Sequence, residues 1–300
     1  MAWEPAHAWL SAIDLPERQA AALLAVKRGW LLHMRSALGS GFHLQESANA
    51  LLLSTLEPKV ASAMLDYMER TLKRVRVVLD GVAQTPSAEK EVLIVFNDDE
   101  SYYRYVAHYY PDAGEFALSG GMHIDAGCSH YVTIKSDLRL IEPVIAHEMT
   151  HGCLGHLPLP AWLNEGLAVN VERSLSPTPP IHTPQQLHAK HVAFWETQQI
   201  QEFWSGMSFL RGDDGSLLSY ELARLMVEQL SRPWEPFKRF VLAAKGADAG
   251  SAAAQLHLGV DLGEAVCALL GKASLSEWSP DPGRWHGEPQ RGQFIQKIHR

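Results

Sequence analysis

The sequence predicts an α+β fold in which a small mixed sheet is followed by a helical C-terminal half. All of the predicted strands lie before residue 136, where short runs of apolar and β-branched residues are bounded by turn residues. After residue 184, apolar side chains instead recur every three or four positions, which is the helical period. A chain of 300 residues that is 46% apolar can bury the core of one large or two small domains.

The elements of the first half follow from apolar spacing and from cap residues. Asn97 and Asp98 offer an N-cap for a helix, and the glycine-rich stretch before residue 136 is typical of a hairpin whose second strand enters the next helix. The predicted order is helix 16–38, strands 42–46 and 50–54, helix 57–79, strand 91–96, a helix through residue 109, and a hairpin within 117–135.

Several tyrosines lie in or next to the helix that ends near residue 109. They have two interpretations, a binding strip or ordinary packing of amphipathic rings, and the sequence favours packing. The residues are Tyr102, Tyr103, Tyr105, Tyr109 and Tyr110.

A pair of helices follows the hairpin. Residues 138–146 begin the first, in which Pro143 is tolerable only near the first turn. The remaining predicted segments are a break at 157–160, a second helix from Ala161 to about Ser174, a proline-rich linker at 176–184, helices 185–203, 217–230, 236–244 and 251–270, and a loosely packed polar tail from Gly271.

The first helix of this pair carries the sequence His147-Glu148-Met149-Thr150-His151, and Glu165 follows after thirteen intervening residues. Two histidines four positions apart lie on one side of a helix, so both imidazoles can reach one ion. Catalytic zinc sites use three protein ligands and leave the fourth position open. We therefore predict His147, His151 and Glu165 as ligands of one Zn²⁺ per chain, and Glu148 as the general base.

The alternative for these residues is a chance pattern in an ordinary core helix. The chain contains fifteen histidines, so the pentapeptide alone is only moderately specific. A core helix would, however, rarely bury two histidines and a glutamate on one side, because each unpaired buried polar group costs about 1–3 kcal/mol. The zinc interpretation is favoured.

The HExxH motif with a downstream glutamate in Trp162-Leu163-Asn164-Glu165-Gly166 resembles the gluzincin metallopeptidases. The short gap is similar to that of the bacterial peptidase MA-like group within them, over about residues 132–173 and more weakly to about 270. In M1 aminopeptidases, which carry a similar Trp-x-Asn-Glu-Gly segment, the gap is eighteen residues rather than thirteen. The metzincin pattern does not fit, because its required Gly and His positions hold Leu154 and Leu157.

The resemblance implies a zincin fold with an edge strand beside the active-site helix pair, where substrate binds as an added antiparallel strand. It implies an N-terminal helical segment at 1–40, an α+β zincin half at 41–176, a helical C-terminal half at 177–272 that completes the cleft, and a polar tail at 273–300.

Two further residues take roles from the same resemblance. Tyr220, at an expected helix start, would donate a hydrogen bond to the oxyanion of the tetrahedral intermediate, and ordinary packing is its alternative. His123 occupies the position at which M1 aminopeptidases carry a glutamate that holds the free amino terminus of the substrate. An imidazole cannot replace that carboxylate, so cleavage of internal bonds is expected, with N-acetylated peptides cut about as well as free ones.

Two residues that follow the motif are not predicted to be metal ligands. His156 would face about 180° from His147 on a continuing helix, so we expect it at the surface or at a helix end. Cys153 lies two positions after His151, on another face, and is expected to pack in the core.

Bulk properties narrow the class of partner and the compartment. The net charge of −8 and the lack of a basic, aromatic-interleaved patch argue against nucleic acid. No signal peptide or membrane segment is recognised, and three widely separated cysteines suggest reduced thiols, so a cytoplasmic location is expected. The sequence does not define the oligomeric state.

The expected function is zinc-dependent hydrolysis of peptide bonds, on internal bonds of a peptide or protein substrate, with Glu148 as general base. The alternative from another class is a non-catalytic zincin-like scaffold, with or without zinc, that binds a protein partner.

Overall fold

A computed structural model describes residues 3–84, 90–109, 120–177, 182–273 and 276–285. These residues group into two compact units. The first contains 3–77, 90–109 and 120–152, and the second contains 78–84, 153–177, 182–273 and 276–285. A mixed sheet in a largely helical chain confirms the predicted α+β class.

The sheet of the first unit has five strands among the described residues, in the order β1-β2-β3-β5-β4. They are β1 (His43–Glu46), β2 (Ala50–Ser54), β3 (Glu91–Phe96), β4 (Gly121–Ala126) and β5 (Cys128–Ile134). The inner pairs β2–β3 and β3–β5 are parallel, whereas the outer pairs are antiparallel. Among the described strands, β1 and β4 therefore lie at the two edges. Strand β4 is the first strand of the predicted hairpin, and β5, which enters the motif helix, lies inside the sheet.

The central strands are buried along their whole length. Every residue of β2 and β3 is buried. Parallel strands covered on both faces carry continuous apolar runs instead of an alternating pattern, as Leu51-Leu52-Leu53 and Val92-Leu93-Ile94 do. That is why the bounds of both strands agree with those predicted from the sequence.

Five helices begin in the first unit: α1 (Trp3–Ser11), α2 (Pro16–Leu38), α3 (Pro58–Val78), α4 (Asp99–Tyr109) and α5 (Leu138–Leu154). Pro16 takes the first helical position of α2, where its missing N–H costs nothing. Asp98 caps α4 as predicted, since its Oδ1 accepts from the backbone N–H of Ser101 at 2.8 Å. Helix α1 lies within the helical segment expected at 1–40, although the sequence did not predict it as a separate helix.

Helix α5, which carries the HExxH motif, tolerates a proline beyond its first turn. Pro143 is its sixth residue, which differs from the expected placement and leaves the carbonyl of Arg139 without the usual helical donor. Just before the proline, the Tyr67 hydroxyl donates to the carbonyl of Glu142 at 2.7 Å and ties α3 to α5.

The tyrosines of α4 pack against the sheet. Tyr102 is fully buried, and the rings of Tyr103, Tyr105 and Tyr109 lie against the same apolar core. The packing interpretation is therefore confirmed for these four residues, while Tyr110 lies outside the described part of the chain.

A buried histidine joins this tyrosine cluster to the hairpin. His130 is fully buried, its Nε2 lies 2.7 Å from the Tyr105 hydroxyl, and its Nδ1 lies 2.6 Å from the carbonyl of Cys128. The Nδ1–H must donate to that carbonyl, so Nε2 accepts from tyrosine. Burial lowers the pKa of His130 to about 4, and the backbone hydrogen bond opposes this only in part.

We expect His130→Gln to make the free energy of unfolding depend less on pH in the acid range. Between pH 4 and 6.5 the unfolded chain protonates His130 and the folded chain does not, so the free energy of unfolding falls as pH drops through that window. The wild-type slope should exceed that of the variant by up to about 1.4 kcal/mol per pH unit in urea titrations with chelator present. His33→Gln, which replaces an exposed histidine by the same residue type, is the control. Equal slopes for His130→Gln and wild type would contradict this assignment.

The second unit is helical. Its elements begin with α6 (Ala161–Leu175), α7 (Pro184–Phe194), α8 (Thr197–Ser205), α9 (Asp214–Leu230), α10 (Trp234–Ala243), α11 (Ser251–Leu258) and α12 (Leu262–Leu270). The break at 157–160 is confirmed, with Pro160 as the N-cap residue of α6. Helix α9 begins three residues before the predicted start because Asp213 caps it through a hydrogen bond to Gly215.

Two predicted helices are each divided in the structure. The first breaks at Trp195, whose backbone is extended (φ −77°, ψ 118°) and whose indole N–H donates to His191 Nδ1 at 2.8 Å. The second breaks at Gly259, which has a positive φ of 67°, and Asp261 then caps α12. Apolar residues keep the helical period across both breaks, so periodicity alone could not locate them.

Part of the predicted tail is packed rather than loose. Trp278 is buried, and its carbonyl accepts a hydrogen bond from the indole N–H of Trp204 at 2.8 Å. The expectation of a loosely packed segment is therefore wrong for residues 276–285, where the buried Trp278 anchors the chain.

Among the described helices, none is by itself long and apolar enough to cross a membrane. Helices α11 and α12 meet that criterion only as a pair, with an 86° bend between them.

Candidate metal centre

Helix α5 places two histidine rings side by side. His147 and His151 are one helical turn apart, and their ring centroids lie 4.7 Å from each other at an interplanar angle of 77°. Their exposed fractions are only 1% and 8%. The four-residue spacing therefore gives the local geometry that the sequence predicted.

The third predicted ligand comes from the following helix. Glu165 lies in the second turn of α6 and is fully buried. One ligand atom each from His147, His151 and Glu165 lie within 4.8 Å of one another. The three residues predicted from sequence spacing are thus brought together.

The donor chemistry of this group fits zinc. Two imidazole nitrogens and one carboxylate oxygen are a common ligand set of catalytic zinc, with one position left open. All three side chains are buried.

The group is also salt-bridged. Histidine and glutamate can share a proton when they lie close together, and a buried pair of this kind needs no metal to compensate its charges. The arrangement is thus compatible with a metal site and with a metal-free ion pair, and metal titration distinguishes them.

Glu148 is the residue predicted as general base. It follows His147 directly on α5, is 2% exposed, and is not a member of the three-residue ligand group. A carboxylate on the motif helix that is not a ligand retains its proton-accepting capacity for a reactant.

A glycine directly follows two of the predicted ligands, and the sequence alone does not show why. Gly152 comes directly after His151, and a Cβ there would lie 2.1 Å from the Tyr131 hydroxyl, which donates to Glu91 at 2.8 Å. Gly166 comes directly after Glu165, and a Cβ there would lie 2.6 Å from the carbonyl oxygen of Ala223 on α9. Each ligand-bearing segment therefore packs closely against a neighbouring element.

We expect Gly166→Ala to destabilise the protein and to weaken zinc binding. The added methyl meets backbone atoms of α9, so α6 must shift, at a cost of about 1–3 kcal/mol. Because Glu165 is the adjacent residue, the shift should also displace this ligand. Urea unfolding and competition with a zinc chelator measure the two effects. Gly29→Ala is the control, because a Cβ at this helical position meets nothing within 4 Å; it should be neutral or slightly stabilising. A Gly166→Ala variant as stable as Gly29→Ala would contradict the close packing.

His123 lies on the edge strand β4, half-buried. Its Nε2 is 2.7 Å from the Ser129 hydroxyl, and its ring centroid is 5.1 Å from that of Tyr131, its cross-strand partner. Burial lowers the pKa of His123 to about 3, with smaller contributions from His151 and His130. The ring is therefore neutral near pH 7.

The remaining candidates are placed as follows. Tyr220 lies in the second turn of α9, not at its start, and its ring packs edge-on against Phe209 at 5.1 Å. Its role at the oxyanion stays a prediction. His156 lies beyond the end of α5 and is exposed, and Cys153 is fully buried, so both expectations are confirmed.

No protein family model matches the chain, and no curated protein matches it at a significant level. The similarity to gluzincins therefore depends on the motif residues and their spacing.

Proposed function

We propose that the protein is a zinc metallopeptidase of the gluzincin type. The observation that carries the proposal is the buried group of His147, His151 and Glu165, with Glu148 on the same helix as the two histidines. A ligand set with an open position and an adjacent carboxylate that is not a ligand are together the parts required for hydrolysis by an activated water.

In this proposal, His147, His151 and Glu165 would hold the ion. When bound, zinc would lower the pKa of a water molecule and polarise the scissile carbonyl. Glu148 takes the proton from the attacking water and later transfers it to the leaving amine. Helix α5 fixes the position of Glu148 relative to the two histidines.

The proposed substrates are internal bonds of peptides or proteins. Tyr220 is proposed as the donor to the oxyanion, on the resemblance alone. A cytoplasmic location is proposed because the chain has three cysteines that are widely separated in sequence, a pattern that suggests reduced thiols in a reducing compartment.

The second candidate is a scaffold that binds a protein partner without turnover. The salt-bridged state of the ligand group favours it, because such a group can be stable without a metal. The enzyme is preferred because a buried Glu148 beside the histidines has no evident use in a scaffold.

A peptide pool separates the two functions. Zinc-loaded wild type, Glu148→Gln and chelator-treated wild type are incubated with the same pool, and products are identified by mass spectrometry. If the protein is an enzyme, new peptide termini should appear only in the sample with zinc-loaded wild type. Zinc binding without any cleavage would support the scaffold instead.

A further inference from the structure

One face of the edge strand β4 packs against the motif helix. A Cβ at Gly121 would lie 2.2 Å from Cγ1 of Val144 on α5, so strand and helix are in close contact there. Val144 and His151 are seven residues apart and share one side of α5. His123 is two residues after Gly121 and therefore points to the same face of the sheet.

The cross-strand neighbour of His123 reaches the same helix. Tyr131 pairs with His123 in the register of β4 and β5, and their rings are 5.1 Å apart. The Tyr131 hydroxyl lies against Gly152, the residue after His151. His123 is thus held beside the part of α5 that carries a predicted metal ligand.

One nitrogen of His123 is engaged and the other is available. The Ser129 hydroxyl lies 2.7 Å from Nε2. When this hydroxyl donates to Nε2, the proton of the neutral ring resides on Nδ1. Among the described residues Nδ1 has no hydrogen-bond partner, and the side chain is partly exposed.

We propose that His123 contacts the substrate, its Nδ1–H donating a hydrogen bond to a main-chain carbonyl of a peptide bound beside β4, and that Ser129 is a positioning residue whose hydroxyl donates to Nε2 and holds the ring. This rests on the proposed function and names the substrate class of that same site. An imidazole carries no negative charge in either protonation state, so His123 cannot anchor a free amino terminus. A carbonyl next to an acetylated or internal position is the group that it recognises.

Two hydroxamates test this contact without any turnover. Acetohydroxamate chelates the metal but has no peptide main chain, whereas N-acetyl-glycyl-leucine hydroxamate has the same chelating group and two additional carbonyls. Binding of both to the zinc-loaded protein is measured by calorimetry, and zinc affinity is measured separately by chelator competition.

We expect His123→Leu to bind the dipeptide hydroxamate about 10-fold more weakly, as for loss of one hydrogen bond, with binding of acetohydroxamate changed less than about twofold. His123→Asn, whose amide nitrogen lies near the position of Nδ1, should recover part of this loss. Ser129→Ala should weaken dipeptide binding about threefold in wild type and have no effect in His123→Leu, which a purely structural role of the serine would not produce.

If His123→Leu bound the dipeptide hydroxamate as tightly as wild type, the inference about His123 would be overturned but the proposed function would not. Failure of wild type to bind zinc or either hydroxamate would overturn the proposed function, and the inference with it. Equal loss of both hydroxamates in His123→Leu would show that His123 acts on the metal site and not on the peptide main chain.

Discussion

Glu148→Gln should abolish peptide hydrolysis while leaving zinc in place. A general base contributes about 10²–10⁴-fold to the rate, and glutamine has nearly the same size but cannot accept the proton. Because Glu148 is 2% exposed and is not one of the three ligands, an isosteric change should leave the packing of α5 intact. We expect kcat to fall by about 10²–10⁴-fold at unchanged zinc content.

Met149→Leu provides the matched control for this variant. Met149 is the next residue on α5 and is also fully buried, so its replacement tests whether any change in the core of the helix lowers activity. A volume-conserving substitution of this kind costs less than about 1.5 kcal/mol. Activity of Glu148→Gln within a few-fold of wild type would show that another group is the base.

Zinc should stabilise the protein strongly, and only when all three ligands are present. A ligand that binds only the folded state adds about 4 kcal/mol at a free concentration one thousand times its Kd. We expect the melting temperature of wild type to rise by several degrees when zinc is added to the metal-free protein. The variants His147→Ala, His151→Ala and Glu165→Ala should show little or no rise.

His156→Ala is the control for nonspecific binding of zinc to histidine. His156 is exposed, lies only five residues after His151, and is outside the ligand group. Its replacement should leave the zinc-dependent rise in melting temperature at the wild-type value. A similar rise in His151→Ala and in wild type would mean that zinc acts elsewhere on the protein.

The sequence was most informative where local rules determine structure. The strands β2 and β3 are continuous apolar runs, and α2 begins with a proline at its first position, so their bounds needed no knowledge of neighbours. The relation between His147 and His151 is likewise internal to one helix, and the helical period alone gives it.

Features that depend on contacts between distant residues were missed. The breaks at Trp195 and Gly259 interrupt segments whose apolar period continues, and the packing of Trp278 depends on a partner far away in sequence. The glycines at 152 and 166 carry no pattern of their own, since only the atoms opposite them show why a side chain is excluded. Asp213, which caps α9, is a local signal that the sequence reasoning overlooked.

Zinc content per chain is the most direct measurement of whether His147, His151 and Glu165 hold a metal ion. The protein is purified, equilibrated with zinc, freed of excess by dialysis and analysed by elemental mass spectrometry beside the three alanine variants and His156→Ala. We predict about one zinc per chain in wild type and in His156→Ala, and sharply less in each ligand variant. Full zinc occupancy in all three ligand variants, or no bound zinc in wild type, would contradict the metal centre.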